Sequence, residues 1–568
     1  MTLQRFQFSR FQFKIKIVRF FKAQMKNRVV RLSKLKQSTT VLIIKCIGFE
    51  SKKIMLSDLV FNQNKVIIYL SKKTSRLEEV VIKASFGNDI FKTISDLDIQ
   101  LRPINNSQEV LRIVPGLFTG QHAGGGKAEQ LFLRGFDLDH GTDINITVDG
   151  IPVNIASHAH GQGYADLHFV IPEFIDKVNF NKGPYFAGKG NFTTAGFVDF
   201  KTKNYLENNF VKIEDGQYNT FRGIVGLNLL NVNVNTRGNS LYLAGESSFT
   251  DGYFDSSQNF SRHNVMLKYH ETKVGNNTLT AAATGFTSKW TASGQIPNRA
   301  VESGLVGWYG AIDTTEGGQT SRYNISTELL TKFKDRATVR NQLYYSKYDF
   351  ELYSNFTFFK VDALNGDQIR QKENRNIIGY NSIYQNEYYI GTYKTETKAG
   401  IQTRYDNVNN IELSRTKNRN IITDRLTLGD VNEFNSAAYY SQKLVLNDKL
   451  DVTGAVRFDY FINNYNDKLM FHTVNTSATI VCPKLNFNYR LNDKLQLYLY
   501  NGKGFHSNDT RVVVQQNGKK VLPPAYGSDF GGFFKIGKNL VIQSAVLFLW
   551  LDQEFVYVGD EGVVEAGG

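Results

Sequence analysis

The sequence predicts an all-β-dominated chain, most of it a transmembrane antiparallel β-barrel. Three observations predict this. Side chains alternate apolar and polar beyond residue 205, turn signals recur at a constant interval, and no apolar run reaches the roughly 18 residues a membrane helix needs. Mean hydropathy is -0.33 although Phe and Tyr number 42 and 29. Strands that alternate between lipid and water average to such a value.

The alternation is explicit. Val452, Gly454, Val456, Phe458 and Tyr460 make one face, and Thr453, Arg457 and Asp459 the other. Leu485, Phe487 and Tyr489 interleave with Asn486, Asn488 and Arg490, and Leu495, Leu497 and Leu499 repeat the pattern. A sheet between hydrocarbon and a wet bore requires it. The interval is fixed by Leu446-Asn447-Asp448-Lys449-Leu450, which returns 45 residues later as Leu491-Asn492-Asp493-Lys494-Leu495 and, after another 45, as Ile536-Gly537-Lys538-Asn539-Leu540. Looser signals at Arg237-Gly238-Asn239, Gly275-Asn276-Asn277, Lys334-Asp335 and Gly391-Thr392 extend the series. Seven such turns imply about 15 strands, with the long connections, such as Trp290 to Thr320, at the opposite end.

Composition excludes other classes. Cys46 and Cys482 are the only cysteines, too few and too distant for a disulfide framework or thiolate metal site. Of the net charge of +14, eleven Lys and Arg with no acid fall in residues 1–36, leaving the remainder near +3. No helix-turn-helix or stacking motif accompanies this charge, so nucleic acid is not the partner. The same basic leader, residues 1–40, has no uninterrupted apolar stretch of an export signal. No nucleophile elbow and no His-Glu-x-x-His helix occur, and Gly190 stands where a phosphate loop needs Ser or Thr, so the chain reads as a non-enzyme without a cofactor.

Between leader and barrel lie ordered motifs. Val41-Leu42-Ile43-Ile44 and Val66-Ile67-Ile68-Tyr69-Leu70 read as strands. Ser107 to Leu111 reads as a helix start, stopped by Pro115-Gly116. Leu131-Phe132-Leu133-Arg134-Gly135, Val148-Asp149-Gly150-Ile151-Pro152, Lys182-Gly183-Pro184-Tyr185 and Ala195 to Lys203 then follow in order. The glycines Gly135, Gly150, Gly183, Gly188 and Gly196 punctuate short strands, where a positive φ or close backbone approach is expected.

In order and spacing these motifs resemble the plug domain of TonB-dependent outer-membrane receptors of the Bacteroidetes type. The resemblance implies an α+β plug at residues 85–205 inside the lumen of a barrel at 206–568. It implies a TonB box at 77–84, with Glu78, Glu79, Val80, Val81 and Ile82 binding TonB, and a partial carboxypeptidase-regulatory-like segment at 41–76. A short β-prone segment suits strand addition to a partner's sheet edge. Arg134, Gly135, Asp149, Gly150, Gly183 and Pro184 would serve the plug's own fold. Asn179 and Lys182 depart from the family's usual acid and arginine, which weakens any plug-to-barrel lock there, since lysine lacks the bidentate fork. Such barrels have about 22 strands when complete, so the chain reads as truncated.

Five of nine histidines lie between residues 122 and 168: His122, His140, His158, His160 and His168. In extended chain His158 and His160 share a side, and Asp166 or His168 would complete a metal site, imidazole suiting zinc, copper, iron and nickel. The plainer reading is hydrogen bonding in apical plug loops. Trp290, Trp308 and Tyr309 read as lining an outer mouth or a girdle, and Asp313 and Glu316 as loop surface. The expected function is TonB-dependent import of a scarce extracellular small ligand, a siderophore or metal complex, by a monomer in outer-membrane lipid. The alternatives are a glycan importer, a passive receptor or adhesin, and a non-functional gene product.

Overall fold

The computed structural model describes residues 93–558, apart from 96–97, 100, 103, 105, 122–124, 139–141, 231–238, 275, 334–335, 516–519 and 537–539; it adds residues 563–567 and isolated strands between residues 4 and 66. Contacts divide the chain into Met1–Phe91 and Lys92–Gly568. In the first unit Met25–Lys26, Val29–Leu32, Gln4–Gln7 and Lys65–Val66 form one sheet, and Phe13–Ile17, Val41–Cys46 and Lys52–Met55 another. The expected TonB box lies outside the described residues.

The second unit begins with a small α+β domain. Its main sheet runs Ile151–Pro152, Ile144–Val148, Gly196–Thr202, Ile175–Lys182, Thr93–Ser95, with Ile144–Val148 and Gly196–Thr202 parallel. A second sheet joins Phe136–Leu138, Gln130–Leu133 and Leu117–Gly120. The helix Ser107–Leu111 forms where the sequence places it, and Asn106 Oδ1 caps it by accepting from Glu109 N–H at 2.9 Å. Val110, Leu111, Val114, Ile146, Val178 and Phe200 pack one apolar core. At the two hairpin turns, Arg134-Gly135 and Asp149-Gly150, both residues have positive φ (59° and 81°; 49° and 84°). That is the turn geometry whose twist matches paired strands.

Residues beyond 205 form one sheet of 15 strands in chain order, every neighbour antiparallel, from Phe210–Gly216 to Leu540–Leu551. The connections at one end, 229–239, 275–276, 333–337, 391–392, 446–449, 493–494 and 537–539, coincide with the predicted turns. The other end carries the long connections 251–259, 292–316, 355–368 and 506–523 together with three short ones, 217–219, 418–420 and 468–471. Mostly tight turns at one end and the longest loops at the other give the periplasmic and extracellular sides of such a sheet. Among the described residues each outermost strand pairs on one side.

The sheet's polarity is reversed relative to a water-soluble protein. Val456 and Phe458 are 43% and 44% exposed, whereas Arg457 and Asp459 between them are 3% and 0%. Leu485 and Tyr489 likewise face out, while Asn486 and Asn488 are buried inward. Only a lipid exterior and a polar, filled bore make this arrangement stable.

Candidate functional site

The small domain sits in the bore and is held by apolar clusters that span the seam, such as Ile151 with Tyr344 and Ile377, and by polar bonds to the wall. Arg134 forms a two-pronged pair with Asp529 on the strand Pro524–Ile536, Nη1 to Oδ1 at 3.0 Å with Nη2 on Oδ2, and the Tyr185 hydroxyl donates to the same carboxylate at 2.6 Å. Burial pushes the Tyr185 hydroxyl well above its ordinary pKa, and Asp529 adds to the rise. Lys182 stands beside this pair, its pKa lowered by burial and then by Arg134. Asp149 is gripped by Lys268 Nζ at 3.1 Å, and the same Nζ donates to the Thr202 hydroxyl at 2.7 Å. Burial alone would raise the Asp149 carboxyl, but Lys268, Lys201 and two bonds from Thr202 outweigh it and hold it below the carboxylate range. On another side Arg222 joins Glu173 of the inner domain to Glu214 and Glu246 of the wall, at 2.6–2.8 Å.

Toward the extracellular end, four barrel cations donate to backbone carbonyls of inner-domain turns. Arg322 reaches Pro152 O at 2.7 Å, Arg404 reaches Asn154 O at 2.9 Å, Arg457 reaches Ala187 O at 3.2 Å and Lys484 reaches Pro184 O at 2.5 Å. At the apex Arg375, wholly buried, binds Glu373 and Asp406 at 2.9 Å each and donates to Ser157 O. Glu373 in turn accepts from Ala159 N–H at 2.8 Å. Trp290 is buried against the inner domain: a Cβ on Gly126 would lie 2.1 Å from its ring. It therefore lines neither a mouth nor a girdle, because it fills the seam between wall and inner domain. Trp308 and Tyr309 are exposed on the loop 292–316.

Residues 89–197 match the family model for the TonB-dependent Receptor Plug Domain. The fold resembles the unliganded ferric citrate transporter FecA (TM-score 0.70, 16% identity, 81% of this chain and 69% of that one). It also resembles the open form of the ferric-catecholate import receptor Fiu from E. coli K12 (0.62, 14%, 81% and 74%) and the copper transporter OprC (0.60, 14%, 80% and 70%). The chain carries a TonB-dependent receptor plug domain and has the plugged-barrel fold of these transporters.

The plug carries the four residues proposed from sequence as metal ligands, and all are buried. The His158 ring stacks on Tyr164 at 4.1 Å between centroids. Its Nδ1 accepts from His160 N–H at 3.1 Å, which places the proton on Nε2, 3.2 Å from the Tyr348 hydroxyl. His160 Nδ1 lies 2.7 Å from Gln371 Oε1. His168 Nδ1 instead lies 2.8 Å from Asp166 Oδ1, with Gln108 Nε2 at 3.1 Å. Among the described residues no three of His, Cys, Asp and Glu gather as a metal-holding group. The expected set is thus not assembled: each imidazole nitrogen contact just named goes to a hydrogen-bonding neighbour, and His158 has no lone pair left to offer. His122 and His140 fall outside the described residues.

The remaining expectations divide similarly. Gly135, Gly150 and Gly183 have positive φ, and Pro184 presents its carbonyl to Lys484. Asp149, expected to serve the plug's own fold, accepts two bonds from Thr202 within the plug and also binds Lys268 of the wall, and Arg134 binds Asp529 of the wall, because their turns lie against it. Glu316, expected on the surface, is buried beneath Gly294, and burial, then the Asp313 charge, push its pKa up to about 8. The apical group Glu373, Arg375, Arg404, Asp406 and Glu433 was missed. Its signal was present: charges two apart, as in Glu373/Arg375, Arg404/Asp406 and Arg457/Asp459, share one face of otherwise alternating strands.

Proposed function

We propose that this receptor imports a scarce extracellular ligand, a siderophore or metal complex, across the outer membrane, energised by TonB acting on residues 77–82. The carrying observation is the kind of bond that seats the plug. Discrete polar contacts, ion pairs such as Arg134–Asp529 and barrel cations on backbone carbonyls, join plug to wall beside the apolar seam, and contacts of this kind open locally without melting the barrel. Ferric and copper transporters share the fold, which favours a metal-bearing cargo. His158, His160, Asp166 and His168, each hydrogen-bonded to a neighbour, shape the apex that meets such a complex.

The test is uptake of radiolabelled iron, presented as ferric citrate and as a ferric catecholate, and of copper, in cells with and without the gene under limitation of each metal. Expression should lift accumulation of one of these probes, and deletion of residues 77–82 should abolish the gain. Accumulation that survives the deletion would mean a passive receptor instead.

A further inference from the structure

Residues 506–511, at the start of an extracellular connection, lie on the plug apex. This strap is tied down by bonds with a common direction. Ser507 N–H donates to Asn191 Oδ1 at 2.6 Å, Asp509 N–H to Gln162 Oε1 at 3.0 Å and Thr510 N–H to Ser157 Oγ at 2.7 Å. The Thr510 hydroxyl donates to Glu433 Oε1 at 2.7 Å and Arg511 Nη2 to His158 O at 2.8 Å, while His506 Nδ1 meets Asp143 Oδ1 at 2.9 Å. In each the strap supplies the proton and the floor beneath supplies the oxygen. Two bonds run the other way, from Asn191 Nδ2 to Ser507 Oγ at 2.7 Å and from Gln162 Nε2 to Asn508 Oδ1 at 3.4 Å.

A second observation concerns charge. Glu433 Oε2 and Asp143 Oδ2 are buried without a hydrogen-bond partner among the described residues. The Arg375 guanidinium lies 3.7 Å from Glu433, too far for a hydrogen bond. It is already bonded to Glu373 and Asp406, and Arg404 is bonded to Asp406. With Arg322 and Asp166 beside them, three cations face four carboxylates, and Asp143 adds another that loses His506 when the strap lifts. A floor of acceptors with surplus negative charge cannot stay buried and empty at low cost.

We propose that the strap is a resident occupant of the ligand site, and that the ligand replacing it is cationic and rich in N–H or O–H donors, bearing ammonium or guanidinium groups. This rests on the importer reading and narrows it to a complex whose outer surface carries such groups. An occupant in the same chain lowers apparent affinity by the fraction of time the site is filled, so weakening the strap tightens binding.

The experiment uses the full chain in detergent micelles, with spermidine as the donor-bearing cation and citrate as an anion of similar size. Hydrogen exchange at the Ser507, Asp509 and Thr510 amides should quicken with spermidine and not with citrate. Thr510→Pro with Arg511→Ala removes three strap donors, an amide, a hydroxyl and a guanidinium, with the proline at a first-turn position that tolerates it; it should bind spermidine about tenfold more tightly than the parent. Asp143→Asn with Glu433→Gln, checked for native circular dichroism, should lose the preference for spermidine over citrate. If the strap variant gains nothing, or citrate opens the strap as well as spermidine, the proposal is overturned. Uptake that persists after deletion of residues 77–82 would sink the importer reading alone, since none of these binding measurements involves that segment.

Discussion

Removing Asp529 should unlatch the plug from the wall without unfolding the barrel. The carboxylate accepts both prongs of Arg134 and the Tyr185 hydroxyl, and the two charged side chains are 6% and 5% exposed. Asp529→Ala therefore leaves a buried guanidinium without its counter-charge, a change that costs about 3–5 kcal/mol. At about 1.4 kcal/mol per decade this raises local opening of the plug roughly a hundredfold to several-thousandfold. Hydrogen exchange of the Gln130–Leu133 strand and of Gly183, whose N–H donates to Ala195 O at 2.7 Å, reads that opening. Barrel amides in strands such as Gly317–Lys332 should exchange as before. Arg134→Leu combined with Asp529→Leu, on a Tyr185→Phe background that leaves no hydroxyl without its acceptor, should restore most of the protection, because an apolar pair avoids the desolvation the ion pair carries. Exchange in Asp529→Ala within tenfold of the parent, or no recovery in the combined variant, would refute the latch.

Three further outcomes are expected. Asp149 is held below its unfolded pKa, so its stabilisation is whole above about pH 4 and is lost as pH falls through the folded value; Lys268→Met should move acid release of the plug to higher pH, and coincident acid titrations of parent and variant would contradict the pairing. Glu316 has the opposite sign: its folded pKa of about 8 lies above the unfolded one, so stability falls as pH rises from about 4.5 toward 8. Protection of the loop 292–316 should decline over that range in the parent and stay level in Glu316→Gln, as limited proteolysis would report. Gly183→Ala combines a φ of +76° with a Cβ 2.2 Å from the Tyr185 ring, and should cost about 1–3 kcal/mol of plug stability; a denaturation midpoint equal to the parent's would show that the turn relaxes.

The barrel was legible because its signal is local. Alternation at a period of two is dictated by strand geometry, and tight turns need Asn, Asp and Gly at fixed places, so the strands and their short connections could be read directly from sequence. The plug was legible through ordered motifs, with its helix at Ser107–Leu111 and glycines at Gly135, Gly150 and Gly183 matching the backbone found.

What the chain determined alone is therefore which residues face lipid and which face inward. Tertiary structure decided which inward charges meet. Arg134 and Asp529 are 395 residues apart, and Ser157 finds Glu433 and Thr510 from across the bore. No local pattern records such pairings, because they follow from how far the plug rises in the lumen and how it is rotated there. The same placement turned the apical histidines toward hydrogen-bonding neighbours: side chains that could bind a metal in open chain were drawn into partnerships that only the closed packing of plug against wall makes available.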